Sequence, residues 1–101
     1  MFVKATKSIF DKRVRLTEER WKHIVERHPE VEGYLEMVLK TVSAPEIVTH
    51  GWTDESCAIM SVGDQDLVVI YKDQVDGFVV TAFLSRSRKY FEKRGIIWSK
   101  Q

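Results

Sequence analysis

Two histidines and an arginine fall within six residues of one another, at His23, Arg27 and His28. Imidazole takes up and returns protons near pH 7, so it suits general acid–base catalysis. Arginine is a permanent planar cation that binds phosphate or carboxylate. This segment is therefore the leading candidate for a site that combines proton transfer with a fixed positive charge.

The three side chains do not share one face of the helix that the segment predicts. The two histidines are about 140° apart at 3.6 residues per turn. His28 falls within the apolar stripe, where it faces a cleft between helix and sheet, whereas His23 and Arg27 are neighbours on another face. The structural alternative is that His28 only favours the negative end of the helix dipole, and that His23 and Arg27 are ordinary surface residues.

Two further candidates lie in predicted strands. Thr81 is the one polar residue in the middle of the apolar segment 78–85, on a face with Val79 and Phe83. Lys72 is the last residue of the preceding predicted strand. There it either contacts phosphate or only places a charge that disfavours pairing at an exposed strand edge. Threonine is also a common strand residue with no other role. Whether Lys72 and Thr81 share a face depends on the register of the hairpin. If Lys72 pairs opposite Phe78, the two lie on opposite faces, and a one-residue bulge reverses that arrangement.

Other chemistries have weaker signals. His23, His28, His50 and Cys57 are possible zinc ligands, but their spacing does not match H-E-x-x-H and no C-x-x-C occurs. The scattered glycines form neither a phosphate-binding loop nor a dinucleotide fingerprint. We expect no metal and no cofactor. Acid–base chemistry assisted by fixed cations remains, as in cleavage of an RNA phosphodiester by its own 2′-hydroxyl.

The 101 residues predict one domain, residues 1–101, with 44% hydrophobic and 31% charged residues. No apolar run is long enough to cross a membrane, and the single cysteine fits a reducing cytoplasm. Residues 43–77 carry seven acidic residues and one lysine, whereas residues 78–101 carry six basic residues and one acidic residue. Within the basic, aromatic C-terminal segment 86–101, the candidates for nucleic-acid binding are Arg86, Arg88 and Lys89. The alternative is a solvated surface.

The pattern of apolar residues predicts α+β architecture. Thr17 is a plausible N-cap for a helix that Pro29 ends, and a second apolar face runs from Val31 to Val42 before Pro45. Short loops then favour antiparallel neighbours. We therefore predict one or two N-terminal helices packed on a four-stranded antiparallel meander sheet. The predicted strands are residues 47–49, 57–62, 67–72 and 78–85, with extra strand candidates at 2–5 and 13–16 and a short helix at 87–94.

The order of these motifs resembles a known group of nucleases. The motifs are His23-Ile24 with Arg27-His28-Pro29-Glu30, a helix that ends in Ala44-Pro45-Glu46-Ile47, and a later strand with Val80-Thr81-Ala82-Phe83. They resemble small phage- and mobile-element-associated domains of the barnase–EndoU–colicin–RelE-like group. The resemblance is strongest over residues 14–85. It implies helices on a four-stranded antiparallel sheet and metal-independent RNA cleavage that leaves a 2′,3′-cyclic phosphate.

The resemblance carries the functional positions onto His23, Arg27, His28 and Thr81, with Lys72 in the preceding strand. In this hypothesis one histidine is the general base, and the other histidine or Lys72 protonates the leaving group. Arg27 stabilises the phosphorane and Thr81 donates to a phosphate oxygen. The expected partners are an RNA substrate and an inhibitory, antitoxin-like protein. The alternative is a non-catalytic module that binds nucleic acid or protein through the basic C-terminal segment.

Overall fold

A computed structural model describes residues 2–100. Within that range the chain forms seven strands, three α-helices and one 3₁₀ helix. In chain order these are β1 (Val3–Lys7), β2 (Arg13–Thr17), α1 (Glu18–Arg27), the 3₁₀ helix (Pro29–Val31), α2 (Leu35–Ser43), β3 (Ile47–His50), β4 (Ser56–Val62), β5 (Gln65–Tyr71), β6 (Gly77–Ser85), α3 (Arg88–Glu92) and β7 (Ile96–Ser99).

All seven strands belong to one mixed sheet with the order β1-β2-β6-β5-β4-β3-β7. Strands β3 to β6 follow one another in antiparallel pairs. The β1–β2 hairpin joins this group through a short parallel contact, in which Val14 lies opposite Gly77 and Arg15 opposite Phe78. At the other edge, β7 pairs antiparallel with β3.

The chain is α+β, but the predicted architecture is wrong. The sheet has seven strands and is mixed, and the β1–β2 hairpin precedes the helices. The segments at 2–5 and 13–16 do form strands, whereas the prediction missed β7 altogether. A strand that contributes a short edge pairing carries little hydrophobic alternation of its own, so its partner cannot be inferred from the local pattern.

Helix α1 begins where the sequence indicates, because the Thr17 side chain accepts a hydrogen bond from the backbone N–H of Arg20 at 3.1 Å. The second helix begins later than predicted. Pro29 starts a 3₁₀ helix that ends at Val31, and α2 begins only at Leu35. Val31 is nevertheless fully buried, so it serves the core from outside the α-helix.

The two faces of the sheet have different coverings. Helices α1 and α2 cover one face and bury the larger core, which includes Val14, Leu16, Ile24, Val38, Val69 and Tyr71. The other face, called here the open face, carries a smaller cluster around Cys57, Ile59, Val68 and Ile70, with Phe91 of α3 packed on it. Within residues 2–100, no helix is long and apolar enough to cross a membrane.

Candidate active site

A bulge in β6 determines which side chains reach the open face. Ile70 pairs with Thr81, but the next residue, Tyr71, pairs with Val79, so Val80 is the extra residue. Val79 therefore lies in the helix-covered core with Tyr71. Thr81 lies on the face of Ile70. The prediction that Val79 and Thr81 share a face is wrong, because the bulge reverses the alternation between them.

The same bulge places Lys72 and Thr81 on one face, because Lys72 is two residues beyond Ile70. The Lys72 side chain is 23% exposed, and its ammonium group forms a hydrogen-bonded ion pair with the carboxylate of Asp54. This hydrogen bond raises the pKa of Lys72 and lowers the pKa of Asp54. Lys72 is thus a cation held in place beside Thr81.

His28 approaches the open face from the end of α1. Its backbone N–H donates to the carbonyl of Ile24 at 2.8 Å and caps the helix before Pro29. Its ring lies 5.5 Å from the ring of Phe83, centroid to centroid, and its Nδ1 is 3.8 Å from the Glu30 carboxylate. With 34% of the side chain exposed, the imidazole packs on the sheet and still meets solvent.

These positions form a line on the open face. Phe83 follows Thr81 by two residues, or about 7 Å towards the C-terminal end of β6. Lys72 lies on the other side of Thr81, towards the N-terminal end of β6, because β5 and β6 are antiparallel. An anionic group bound at Thr81 would therefore have an imidazole towards Phe83 and an ammonium group towards Asp54. That arrangement supplies a base, a hydroxyl donor and a cation, which is the equipment for phosphoryl transfer without a metal.

The other two histidine-segment candidates are not in this line. His23 and Arg27 are exposed on α1. His23 lines a cavity of about 290 Å³ together with Thr17, Glu19 and Arg20, and His28 is not among the residues that line it. The structure therefore brings His28, Thr81 and Lys72 to one face and leaves His23 in a neighbouring cavity.

A second cavity, of about 220 Å³, adjoins the first because both include Thr17 and Arg20. Together they are called here the β2–α1 groove. The second cavity also includes Arg15, Phe78 and Val79. The Nε atom of Arg15 is buried and has no hydrogen-bond partner within residues 2–100. A buried donor left unpaired costs about 1–3 kcal/mol, and Arg15 as a residue lines the cavity beside Phe78.

Arg15 was not predicted as a site residue, although the sequence carries a signal for it. Val14 and Leu16 are apolar neighbours that point into the core, and alternation then sends Arg15 to the opposite face. Phe83 was assigned to the face of Thr81, but not to a site. Its contact with His28 joins two segments far apart in the chain, which no local pattern indicates.

Two of the three nucleic-acid-binding candidates in the C-terminal segment are paired with carboxylates. Arg88 donates to Glu46 at 2.8 Å, to Asp66 at 2.6 Å and to the Ser61 hydroxyl at 3.2 Å. Arg86 pairs with Asp64 at 2.9 Å, while Lys89 is exposed. Two of the six basic residues of the C-terminal segment thus pair with three of the seven acidic residues in the middle of the chain.

Aromatic side chains extend the open face beyond Phe83. The Phe83 ring lies 6.1 Å from Phe91, which makes edge contacts with Trp52 at 6.3 Å and Tyr90 at 5.2 Å. The guanidinium of Arg94 lies 4.7 Å over the Trp52 ring and donates to the carbonyl of Gly51. Trp52 and Tyr90 are each about half exposed, at 50% and 51%. Exposed rings beside cations are typical of surfaces on which nucleic-acid bases stack.

Comparison with protein-family models, with curated proteins and with solved structures gives no match to this chain. The described residues also contain no group of three or more His, Cys, Asp or Glu side chains that could hold a metal ion. Any assignment of function therefore depends on the residues of the open face, their geometry and the resemblance of their motifs.

Proposed function

We propose that the protein is a metal-independent, toxin-like RNA endonuclease of the barnase–EndoU–colicin–RelE-like group, with its active site on the open face. The observation that carries the proposal is the bulge at Val80. It brings Thr81 to the face of Lys72, with His28 seated on Phe83 beside it. Three groups suited to phosphoryl transfer, from three separate segments, then lie along one face of the sheet.

The reaction proceeds by attack of a 2′-hydroxyl on the adjacent phosphorus. His28 takes the hydroxyl proton as the new O2′–P bond forms, and the bond from phosphorus to the 5′-oxygen breaks. The products are a 2′,3′-cyclic phosphate and a 5′-hydroxyl. Thr81 donates a hydrogen bond to a non-bridging phosphate oxygen. Lys72 stabilises the negative charge of the phosphorane by turning from the exposed carboxylate of Asp54 to a phosphate oxygen.

Lys72 acts as a cation and not as the acid. Its ion pair with Asp54 raises its pKa, so it holds its proton more firmly than a free lysine would. The leaving 5′-oxygen is instead protonated by solvent. Arg27, in the last turn of α1 next to His28, adds positive charge at the same end of the site.

The aromatic side chains support a single-stranded substrate. Stacking a base on an aromatic ring contributes about 1–3 kcal/mol and tolerates any sequence. Trp52 and Tyr90 offer exposed rings on the open face, and Arg94 holds Trp52 in place. An extended RNA strand can therefore stack there with its phosphate at Thr81, whereas a duplex hides its bases.

The proposal is tested by incubating purified protein with a labelled single-stranded RNA in excess EDTA. Wild type should cut the RNA and leave 2′,3′-cyclic ends, and His28→Ala should lose about 10²–10⁴-fold in rate with unchanged thermal unfolding. His50→Ala is the control, since it removes an exposed imidazole at the end of β3 that has no role in the proposed reaction. Undiminished cleavage by folded His28→Ala protein would contradict the assigned base.

Localisation and partners follow from the proposed activity. An RNA endonuclease of this kind would act in the cytoplasm and would need an inhibitory protein to protect the RNA of its own cell. Such an inhibitor would be expected to cover the open face. Growth arrest on expression of wild type, relieved by His28→Ala, would show that the activity acts on cellular RNA.

The alternative of a binding module receives less support from the contacts. Arg86 and Arg88 are engaged with carboxylates and offer little free charge to a nucleic-acid backbone. Lys89 alone among the three candidates is exposed without a described ion pair. Salt-dependent RNA binding that is lost in Lys89→Gln but kept in His28→Ala would favour that alternative.

A further inference from the structure

The β2–α1 groove opens on the same face of the sheet as the proposed active site. Val14 and Leu16 point into the core under the helices, so Arg15 between them points to the open face. Arg15 lies opposite Phe78 in the parallel pairing of β2 with β6. Phe78 precedes Thr81 by three residues, but Val80 is the extra residue of the bulge, so the two are about 7 Å apart along the strand. One nucleotide and its phosphate can span that distance.

The groove has two chemically different ends. One end contains Phe78, Val79 and Arg15, and so offers an aromatic ring and a guanidinium group. The other end is lined by Arg20 and His23 together with Thr17 and Glu19. A nucleobase fits the first end, since rings stack on phenylalanine and base carbonyls accept from guanidinium groups. A phosphate fits the second.

Helix α1 also provides a path from the groove towards His28. Arg20, His23 and Arg27 follow one another at intervals of three and four residues, which places them on a single stripe of the helix. All three are exposed. Because α1 ends at His28 against Phe83, this stripe runs beside β6 towards the proposed base. Two arginines and an imidazole in such a row are suited to following a sugar-phosphate backbone.

We propose that the β2–α1 groove is a binding subsite for one nucleotide of single-stranded RNA next to the scissile phosphate. The base stacks on Phe78 and accepts a hydrogen bond from Arg15, and the phosphate of the same nucleotide is bound by Arg20 and His23. The substrate assignment rests on the proposed nuclease function, but the groove itself binds independently of cleavage. This gives His23 a role in substrate binding and not in proton transfer.

The test uses a short fluorescein-labelled oligodeoxynucleotide, because it lacks the 2′-hydroxyl and cannot be cut by the proposed reaction. Arg15→Gln and Arg20→Gln should each raise its Kd about five- to tenfold, as measured by fluorescence anisotropy, and Arg20→Gln should flatten the salt dependence by about 0.7 in log–log slope. The matched control is Lys40→Gln, an exposed residue on α2 at the other face, which loses the same charge and should leave the Kd unchanged.

Two further variants separate stacking from folding. Phe78→Leu should weaken binding, whereas Phe78→Tyr, which keeps an aromatic ring, should retain it; thermal unfolding of both checks that the sheet is intact. In RNA cleavage, Arg20→Gln should raise KM with little change in kcat, as expected for a group that binds substrate away from the reacting atoms.

The outcomes distinguish the subsite from the nuclease. Loss of oligonucleotide binding in the arginine variants, with no RNA cleavage by wild type, would keep the subsite and overturn the nuclease. Cleavage by wild type with unchanged Kd and KM in Arg15→Gln and Arg20→Gln would keep the nuclease and overturn the subsite. Wild-type protein that binds neither the oligodeoxynucleotide nor its 2′-O-methyl RNA counterpart also overturns the subsite.

Discussion

Replacing Arg88 by glutamine should destabilise the fold, although its position in a basic segment makes it look like a ligand for nucleic acid. The Arg88 side chain is 27% exposed, and its two acidic partners, Glu46 and Asp66, are 36% and 15% exposed. It links the start of α3 to residues next to β3 and in β5. Removing it leaves two half-buried carboxylates facing each other without a cation.

The magnitude follows from the contacts that are lost. Hydrogen bonds to charged groups contribute about 1.5–3 kcal/mol when well buried, and exposed ion pairs about 0.2–1 kcal/mol. Arg88 makes three polar contacts at intermediate burial, so we expect Arg88→Gln to lower the free energy of unfolding by about 2 kcal/mol. For a domain of this size that corresponds to a Tm lower by about 8–16 °C.

The neighbouring Arg86 provides a matched control. It makes one ion pair, with Asp64, in which the side chains are 67% and 82% exposed. Arg86→Gln should therefore change the free energy of unfolding by less than about 0.5 kcal/mol. Urea unfolding followed by tryptophan fluorescence measures both variants. If Arg88→Gln were as stable as Arg86→Gln, the stabilising role of the Arg88 ion pairs with Glu46 and Asp66 would be refuted. Arg88 would then be free to bind a partner.

Three other predictions concern the elements that position the site. Gly77→Ala should lower the free energy of unfolding by at least about 2 kcal/mol, because an added Cβ would lie 2.1 Å from the backbone carbonyl oxygen of Lys72; Gly33→Ala, where a Cβ meets nothing within 4 Å, should be neutral or slightly stabilising in the same urea titration. Thr17→Ala should cost about 1 kcal/mol through loss of the α1 cap, and Thr17→Ser should restore it, as measured by thermal unfolding. Burial alone would raise the pKa of Glu46, but hydrogen bonds from Arg88 and Ser61 hold it below its ordinary value of 4.5. Its contribution to stability is therefore present above about pH 4.5 and is lost as the pH falls through the lowered pKa. The free energy of unfolding, measured with urea, should accordingly fall less for Glu46→Gln than for wild type between about pH 4.5 and pH 3. An equal fall in both proteins would refute the role of this carboxylate.

Local signals in the sequence predicted the elements that depend on nearby residues. The cap at Thr17, the end of α1 before Pro29 and the apolar strands of the central sheet all depend on neighbours a few positions away. The start of α2 was predicted too early because Val31 and Tyr34 are apolar at helical spacing. Both serve the core from the 3₁₀ helix and the turn that follows it.

Pairing between distant segments could not be predicted from the sequence, because the local pattern of residues does not identify the partner. The hairpin register of Lys72 and Thr81 depended on one bulge, and alternation is compatible with either arrangement. Likewise, the charge of the C-terminal segment suggested a nucleic-acid surface. Only the positions of Glu46 and Asp66 reveal that Arg88 is neutralised within the chain.

One topological feature explains both the proposed active site and the groove beside it. The parallel pairing of β2 with β6 stops at Phe78, while β6 continues to Ser85. Beyond that point α1 and the 3₁₀ helix contact β6 in place of a strand. Because β2 turns away there, a groove opens between Arg15 and Arg20, and because α1 follows β6 to its far end, His28 meets Phe83. A longer β2–β6 pairing would close the groove and move the imidazole away from the sheet, so the proposed active site and the proposed subsite both depend on the brevity of this pairing.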